Sequence, residues 1–463
     1  TEITRDGLPY ATVLTQALGR FGAAAVAPLS ETLAASKSAA ARGRLISALA
    51  ATRAAGAVPP LLRLITRPPG GMMNETLAGQ LGDALRQLGA PGMQGLASLL
   101  SAGTAQAAAR LTAMRLLAAS GKEALPALAP LVRRAAGDTG IYARQIVTEL
   151  GPVAVPLLVE MAAHPDAAIR RWAVAGLRVW ADPGACQPLV ARLGDPDPAV
   201  RLHAAAALGE NLLLRPRAGG AADPLTALLR DPDPRVRAAA ARALGNLGDR
   251  TAAPALRDML AAPTYTDVAA AAIALAQLQD PEAIAAMLTM ARVLDSPVRF
   301  AVLTALAETG DPRVQEVMLG ALGDRDSQVR AVAASALGTL REPGAVQALV
   351  ALLQGDPSGA VRAAAAQALG HYADQRAVEA LIAAWAAADG DYKPAVALAL
   401  GMTADPRALA LLRGAGASLQ LAAVRGLAQS GSPQAVPALL DAAKDKDAAT
   451  RRAALQGLGA SGD

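Results

Sequence analysis

Asp233-Pro234-Arg235-Val236-Arg237 is one of six stretches that repeat a single pattern: an Asp or Ser, a Val or Ile three residues later, then Arg. The others are Asp166-Ala-Ala-Ile169-Arg170, Asp197-Pro-Ala-Val200-Arg201, Asp295-Ser-Pro-Val298-Arg299, Asp326-Ser-Gln-Val329-Arg330 and Ser358-Gly-Ala-Val361-Arg362. Asp447-Ala-Ala-Thr450-Arg451 is a degenerate seventh. The arginines are 31, 36, 62, 31 and 32 residues apart, and 62 is two steps of 31. A fixed period of this size means stacked supersecondary units, each too small to bury its own apolar face.

The stretch from 233 to 262 shows how one unit is built. Asp233 suits an N-cap, because its carboxylate can accept a backbone N–H that has no intrahelical partner. Pro234 suits the first helical turn. Val236, Ala240, Ala243, Leu244 and Leu247 then recur at helical spacing as one apolar stripe. Gly245 and Gly248 are expected to close the helix in the left-handed conformation. Asp249 to Ala253 make the turn, and Pro254 to Leu260 form a second, shorter helix ended by Ala261-Ala-Pro263. The same grammar predicts longer helices near 11–21, 40–52, 74–88, 105–119, 138–150, 166–181, 197–211, 233–247, 267–279, 296–308, 326–340, 358–371, 391–401, 418–429 and 447–458. Shorter helices with a Pro-Ala-Leu type of core lie between them.

Asp231 to Asp249 resembles the HEAT-like repeat of the phycobilisome-lyase type, and residues 195–209 and 324–338 are similar to it. The resemblance is strongest from 166 to 372. It implies a right-handed α-solenoid whose longer helices line a concave side. The chain is therefore expected to be all-α, a single solenoid over 1–463 of about fourteen stacked antiparallel helix pairs with a period of about 31. Arg67 to Met73 within 67–74, and Leu214 to Gly220 within 214–221, break the rhythm and are candidate hinges. Near Arg413 to Ala417 the spacing contracts.

Composition agrees with this reading. Hydrophobic residues make up 53% of the 463 but aromatics only 2%, so the apolar content is Ala, Leu and Val, which favours helix and close helix–helix approach. The 42 Gly and 31 Pro fall at intervals and punctuate the helices. No apolar stretch reaches a membrane span. The chain starts at Thr1 rather than Met with no visible leader, so an upstream segment is expected to have been removed or left out. Lone Cys186 excludes an internal disulfide. The cytoplasm is favoured over export. Net charge is +5, from 39 Arg and 5 Lys against 39 acids, and it is uneven: 23 basic and 16 acidic side chains in 1–232, 21 and 23 in 233–463. An acidic partner for the first half is the expectation.

Catalytic signatures are missing. There is no phosphate loop ending in Lys-Ser/Thr, no GxGxxG, no HExxH and no GxSxG. His164, Cys186 and His203 are spaced by 22 and 17 residues, which matches no zinc pattern. No catalytic residue, cofactor or metal is expected. Most Asp residues stand at helix starts, where capping accounts for them.

The repeated Arg has two readings. It can pair with a capping Asp of the neighbouring repeat as a stacking ladder, or line the concave face to hold an acidic surface. The ladder is favoured because the Asp repeats along with the Arg. Trp180 and Trp385 fall at Leu positions and are expected in the core. Trp172 aligns with His203 and Ala239 at the edge of the apolar stripe. With Arg170 and Arg171 it forms the best candidate hot spot, and Arg201 and His203 belong beside it; the competing reading is a Trp that covers a repeat junction. The function expected is a non-enzymatic scaffold or adaptor that binds a protein partner, acidic in character, along the concave face. The alternatives are a chromophore lyase or lyase subunit, implied by the resemblance, and a nucleic-acid-binding protein of the HEAT-like glycosylase kind. The latter is disfavoured, because no aromatic and acidic cluster for a flipped base is evident.

Overall fold

The computed structural model describes residues 17, 20–101, 107–134, 137–180, 182–211, 220–293, 295–372, 374–387, 392–412 and 416–461. Among these residues 28 α-helices follow one another and there is no strand. They form fourteen pairs, a first helix of 7–13 residues and a second of 11–14, so the protein is an all-α solenoid of the expected class. The second helices begin and end within a few residues of the predicted positions from Ala39–Ala51 to Ala448–Ser461. The predicted helix 11–21 falls mostly outside the described residues. Pro281–Val293 and Gln375–Ala387 are first helices as long as the second ones that follow them, so the long–short alternation is not uniform.

The chain divides into two compact units, Thr1–Pro224 and Leu225–Asp463. Each is a solenoid in which consecutive second helices pack side by side. In the first unit Ala39–Ala51 packs on Glu75–Gln87, and Ala167–Val179 on Pro198–Glu210. In the second, Pro234–Leu247, Tyr265–Leu278, Ser296–Ala307, Ser327–Leu340 and Gly359–Gly370 pack in succession. Arg67 to Asn74 contains a 3-10 turn at Pro69–Gly71, with Gly70 and Gly71 in the left-handed region at φ 77° and 82°. Residues 212–219, which hold most of the second candidate hinge, lie outside the described residues, as do 413–415.

Local chemistry sets the helix starts. The Asp166 carboxylate accepts the Ala168 and Ile169 N–H groups, Asp197 accepts those of Ala199 and Val200, and Asp326 accepts that of Gln328. Gly248 ends Pro234–Leu247 with φ 73°, as its position suggests. Gly245 does not. It lies inside the helix, and its role is close approach: a Cβ there would stand 2.7 Å from Ala274 Cα of the next second helix. The equivalent Gly338 would meet Ala368 Cα at 2.5 Å and Gly370 would meet Ala399 Cα at 3.0 Å. Alanine serves the same purpose. Val236, Ala240 and Leu244 are fully buried as the stripe requires, but Ala238, Ala239 and Ala241 are buried too, because the helix has neighbours on several sides.

Candidate functional site

The repeated Arg lies four residues after the N-cap of the second helix, one residue beyond the fully buried Ile169, Val200, Val236 or Val329. Its fork works in two directions. Arg170 Nη1 donates to the His164 and Pro165 carbonyls of its own repeat at 3.0 and 2.7 Å. Arg170 Nε and Nη2 donate to the two Asp195 carboxylate oxygens of the next repeat at 2.7 and 2.9 Å. Arg330 does likewise, with the Asp324 and Arg325 carbonyls at 2.8 and 3.1 Å and Asp356 at 2.7 and 3.0 Å. Arg299 holds Asp324 at 2.8 and 2.9 Å. A planar guanidinium is the side chain that can satisfy both sets at once.

The acid is not the capping Asp that the sequence suggested. Asp195, Asp324 and Asp356 stand two residues before the cap, and each accepts the cap residue's own N–H at 2.8–2.9 Å. The capping carboxylates are already taken by the orphan N–H groups of their own helices. Arg237 departs from the scheme: its acceptor is Asp267, inside the next second helix and bonded to the capping Thr264 hydroxyl at 2.6 Å. Arg362 lies over the Tyr392 ring, 4.6 Å from its centre. Burial pushes the Asp195, Asp267 and Asp324 carboxyls upward, but the guanidinium and the neighbouring N–H or hydroxyl donors outweigh it and hold them below the ordinary range. At Asp356 the Arg330 bond is the largest influence, in the same direction. One further copy escaped the sequence reading. Ser38 caps Ala39–Ala51, and Arg42 Nη1 reaches the Ser36 and Lys37 carbonyls at 3.1 Å each, although an Ala replaces the usual Val before it.

The five expected site residues divide accordingly. Arg170 is buried in the ladder. Arg201 is half-buried and donates to the Asp195 and Pro196 carbonyls at 2.8 and 3.1 Å. Arg171 is exposed, with Nε 3.6 Å from Asp197 Oδ2. Trp172 is half-buried and its Nε1 donates to Thr148 Oγ1 at 3.3 Å. His203 occupies the same repeat position as Trp172 on the adjacent packed helix. Its Nδ1 is buried without a partner, and burial, then the charge of Arg178, keeps the imidazole below its usual pKa. Arg178 is itself held by Glu210 in a two-point ion pair at 2.8 and 2.9 Å. Trp180 and Trp385 are half-buried rather than core; Trp180 covers the left-handed Gly151, and Lys393 sits 5.0 Å from the Trp385 ring centre.

A groove of about 530 Å³ lies on the second helices of the second unit, with Phe300, Thr304, Ala331, Val332, Ser335 and Thr339 among its walls. Among the described residues no three His, Cys, Asp or Glu side chains are grouped to hold a metal. No described helix is long and apolar enough to cross a membrane.

A family model described as HEAT repeats matches residues 155–212, 212–276, 268–338, 294–359, 346–418 and 411–463. Among solved structures, importin beta is similar at 14% identity over 99% of this chain and 83% of that one, with a TM-score of 0.54. The Kap95:Nup1 complex is similar at 13% identity over 92% and 72%, with a TM-score of 0.53. The CpcE–CpcF complex of phycocyanin lyase from Nostoc is 28% identical over 55% of this chain and 92% of that one, with a TM-score of 0.35. No curated protein matches the chain.

Proposed function

The chain belongs to the HEAT repeat family, and we propose that it is a non-enzymatic scaffold that holds a protein partner on the surface of its second helices. The observation that carries this reading is the column nine residues after the cap on the first five second helices of the second unit. Arg242, Ile273, Thr304, Ser335 and Gln367 occupy it, all half-buried or exposed, on five consecutively packed helices. These side chains are not needed for stacking, which the Arg–Asp pairs and the close-packed Ala and Gly positions perform. A row of varied side chains at regular spacing on a rigid support suits recognition of an extended protein surface. In the first unit the anchors are Arg171, Trp172 and His203, which stand five and six residues after their caps rather than nine, beside Arg170 and Arg201. The excess of basic over acidic side chains in residues 1–232, 23 against 16, favours an acidic partner there.

Site-specific photo-crosslinking of the full chain in its native extract tests the reading. A benzophenone side chain at Trp172 or Ser335, on second helices, is expected to capture one and the same protein. The same probe at Leu319 or Glu379, on first helices, is expected to capture none. Equal capture from both sets, or capture only from the first helices, would overturn the assignment.

A further inference from the structure

Among the described residues one joint keeps the acid of the ladder and replaces its cation. Gly416 caps Ala417–Ser430, so Gln420 stands four residues after the cap, where Arg170, Arg299 and Arg330 stand in theirs. The acid side of the joint is unchanged. Asp445 lies two residues before the next cap position, Asp447, and accepts the Asp447 N–H at 2.8 Å, as Asp195, Asp324 and Asp356 do at theirs. Gln420 Nε2 reaches Asp445 Oδ2 at 3.0 Å, with one neutral donor in place of a bidentate guanidinium. Arg451 bonds the Asp445 backbone carbonyl, as Arg362 bonds that of Asp356, so the charge missing at Asp445 is the one that Arg330 supplies to Asp356. Among the described residues neither Asp445 nor the nearby Asp441 has an ion pair.

A cavity of about 560 Å³ opens at this joint. Leu409, Leu412, Val424, Leu427, Pro437 and Ala438 give it apolar walls, and Gln420, Asp441 and Asp445 lie along its polar side. The equivalent hollow at the Arg237–Asp267 joint is about 380 Å³, with the ion pair in its lining. The molecule therefore shows, at its other joints, which group completes this one: a guanidinium held in two-point contact with the acid. We propose that the Gln420–Asp445 joint is a binding site for an organic cation with an apolar body, its guanidinium or ammonium on Asp445 and its hydrocarbon between Leu409, Val424 and Leu427. This site is separate from the partner-binding surface proposed above, since its walls come largely from the first helices Pro406–Leu412 and Val436–Ala442.

Titration calorimetry of the full chain with n-hexylguanidinium, n-hexanol and hexanoate tests the proposal. Hexylguanidinium is expected to bind at one site, at least tenfold more tightly than hexanol, and hexanoate not at all. Gln420→Arg, which restores the ladder residue, is expected to fold with an unchanged or higher Tm and to lose at least tenfold in affinity for hexylguanidinium. Asp445→Asn is expected to lose it as well. An acetyl-Leu-Arg-Leu-amide peptide separates the two sources of such a cation. Tighter binding than hexylguanidinium identifies an arginine of a protein partner, and weaker binding a small molecule. Lack of hexylguanidinium binding by the parent protein, equal binding of hexanol, or full binding by a folded Gln420→Arg variant each overturns the assignment.

Discussion

Replacing Arg170 by Met would isolate the contribution of one ladder joint. Arg170 is 7% exposed and Asp195 4%, so the pair is within the fold rather than on it. Removing the guanidinium deletes two bonds to Asp195 and two to carbonyls of its own repeat. What is left on Asp195 is the Asp197 N–H and Arg192 at 3.5 Å. Breaking a buried pair by removing one partner costs about 3–5 kcal/mol, because the other charge stays buried. With Arg192 still close, a loss near the lower end, about 3 kcal/mol, is expected in urea unfolding followed by circular dichroism. Adding Asp195→Asn removes the stranded charge and keeps an amide oxygen for the Asp197 N–H. The double variant should then recover most of the loss and end about 1 kcal/mol below the parent. The pH dependence has a definite sign. The folded carboxyl of Asp195 lies below its ordinary value of 3.8, so its stabilising effect is complete above that pH and disappears as pH falls through the folded value. The gap between parent and Arg170→Met should be constant near neutrality and close below about pH 4. A single variant within about 0.5 kcal/mol of the parent, or a double variant no better than the single, would refute a stabilising ladder.

Other consequences are as direct. Gly338→Ala places a Cβ 2.5 Å from Ala368 Cα and should cost about 1–3 kcal/mol, whereas Gly320→Ala, with nothing within 4 Å, should gain about 0.5–1 kcal/mol; differential scanning calorimetry compares them. Leu244→Ala should cost about 2–5 kcal/mol and Ala240→Phe about 1–3 kcal/mol, since both side chains are fully buried, and unchanged melting would place them outside the core. Burial, with the Glu342 charge, pushes the Tyr372 hydroxyl up to about 12. An ultraviolet tyrosinate titration should find it ionising later than an ordinary tyrosine, and its stabilisation should persist below about pH 10 and vanish as pH rises through about 12. Tyr372→Phe removes the hydroxyl's 2.8 Å bond to the Leu337 carbonyl, which keeps the Glu342 N–H at 3.4 Å, so the cost should be about 0.5–1.5 kcal/mol.

The sequence makes the helices legible because caps, stripes and turns are local. Asp197, Pro198 and Val200 define a helix start without reference to any other part of the chain. The ladder was half legible. That Arg pairs with Asp across repeats follows from their joint recurrence, but which Asp follows only from knowing that the capping carboxylate is already engaged by its own helix. Gly245 misled for a related reason: a glycine near a helix end resembles a terminator, and its true neighbour, Ala274, is set by the next repeat. Trp180 aligns with Leu247, and both are half-buried, because the last position of the apolar stripe stands at the edge of the interior, while Trp385 at its own Leu-like position is half-buried as well. The candidate partner surface was least legible. Arg170 and Arg171 are adjacent in sequence, and only packing distinguishes the buried one from the exposed one.

The repeat that carries Asp324 and Arg330 has an acid facing the unit before it and an arginine facing the unit after it. The joint therefore has a plug and a socket, and every unit with both can follow or precede any other. A block cut between equivalent residues of two ladder joints could be duplicated, removed or transplanted without leaving a half-made connection. The rest of the repeat, outside the close-packed Ala and Gly positions, is then free to change its surface residues while the register of the stack stays fixed.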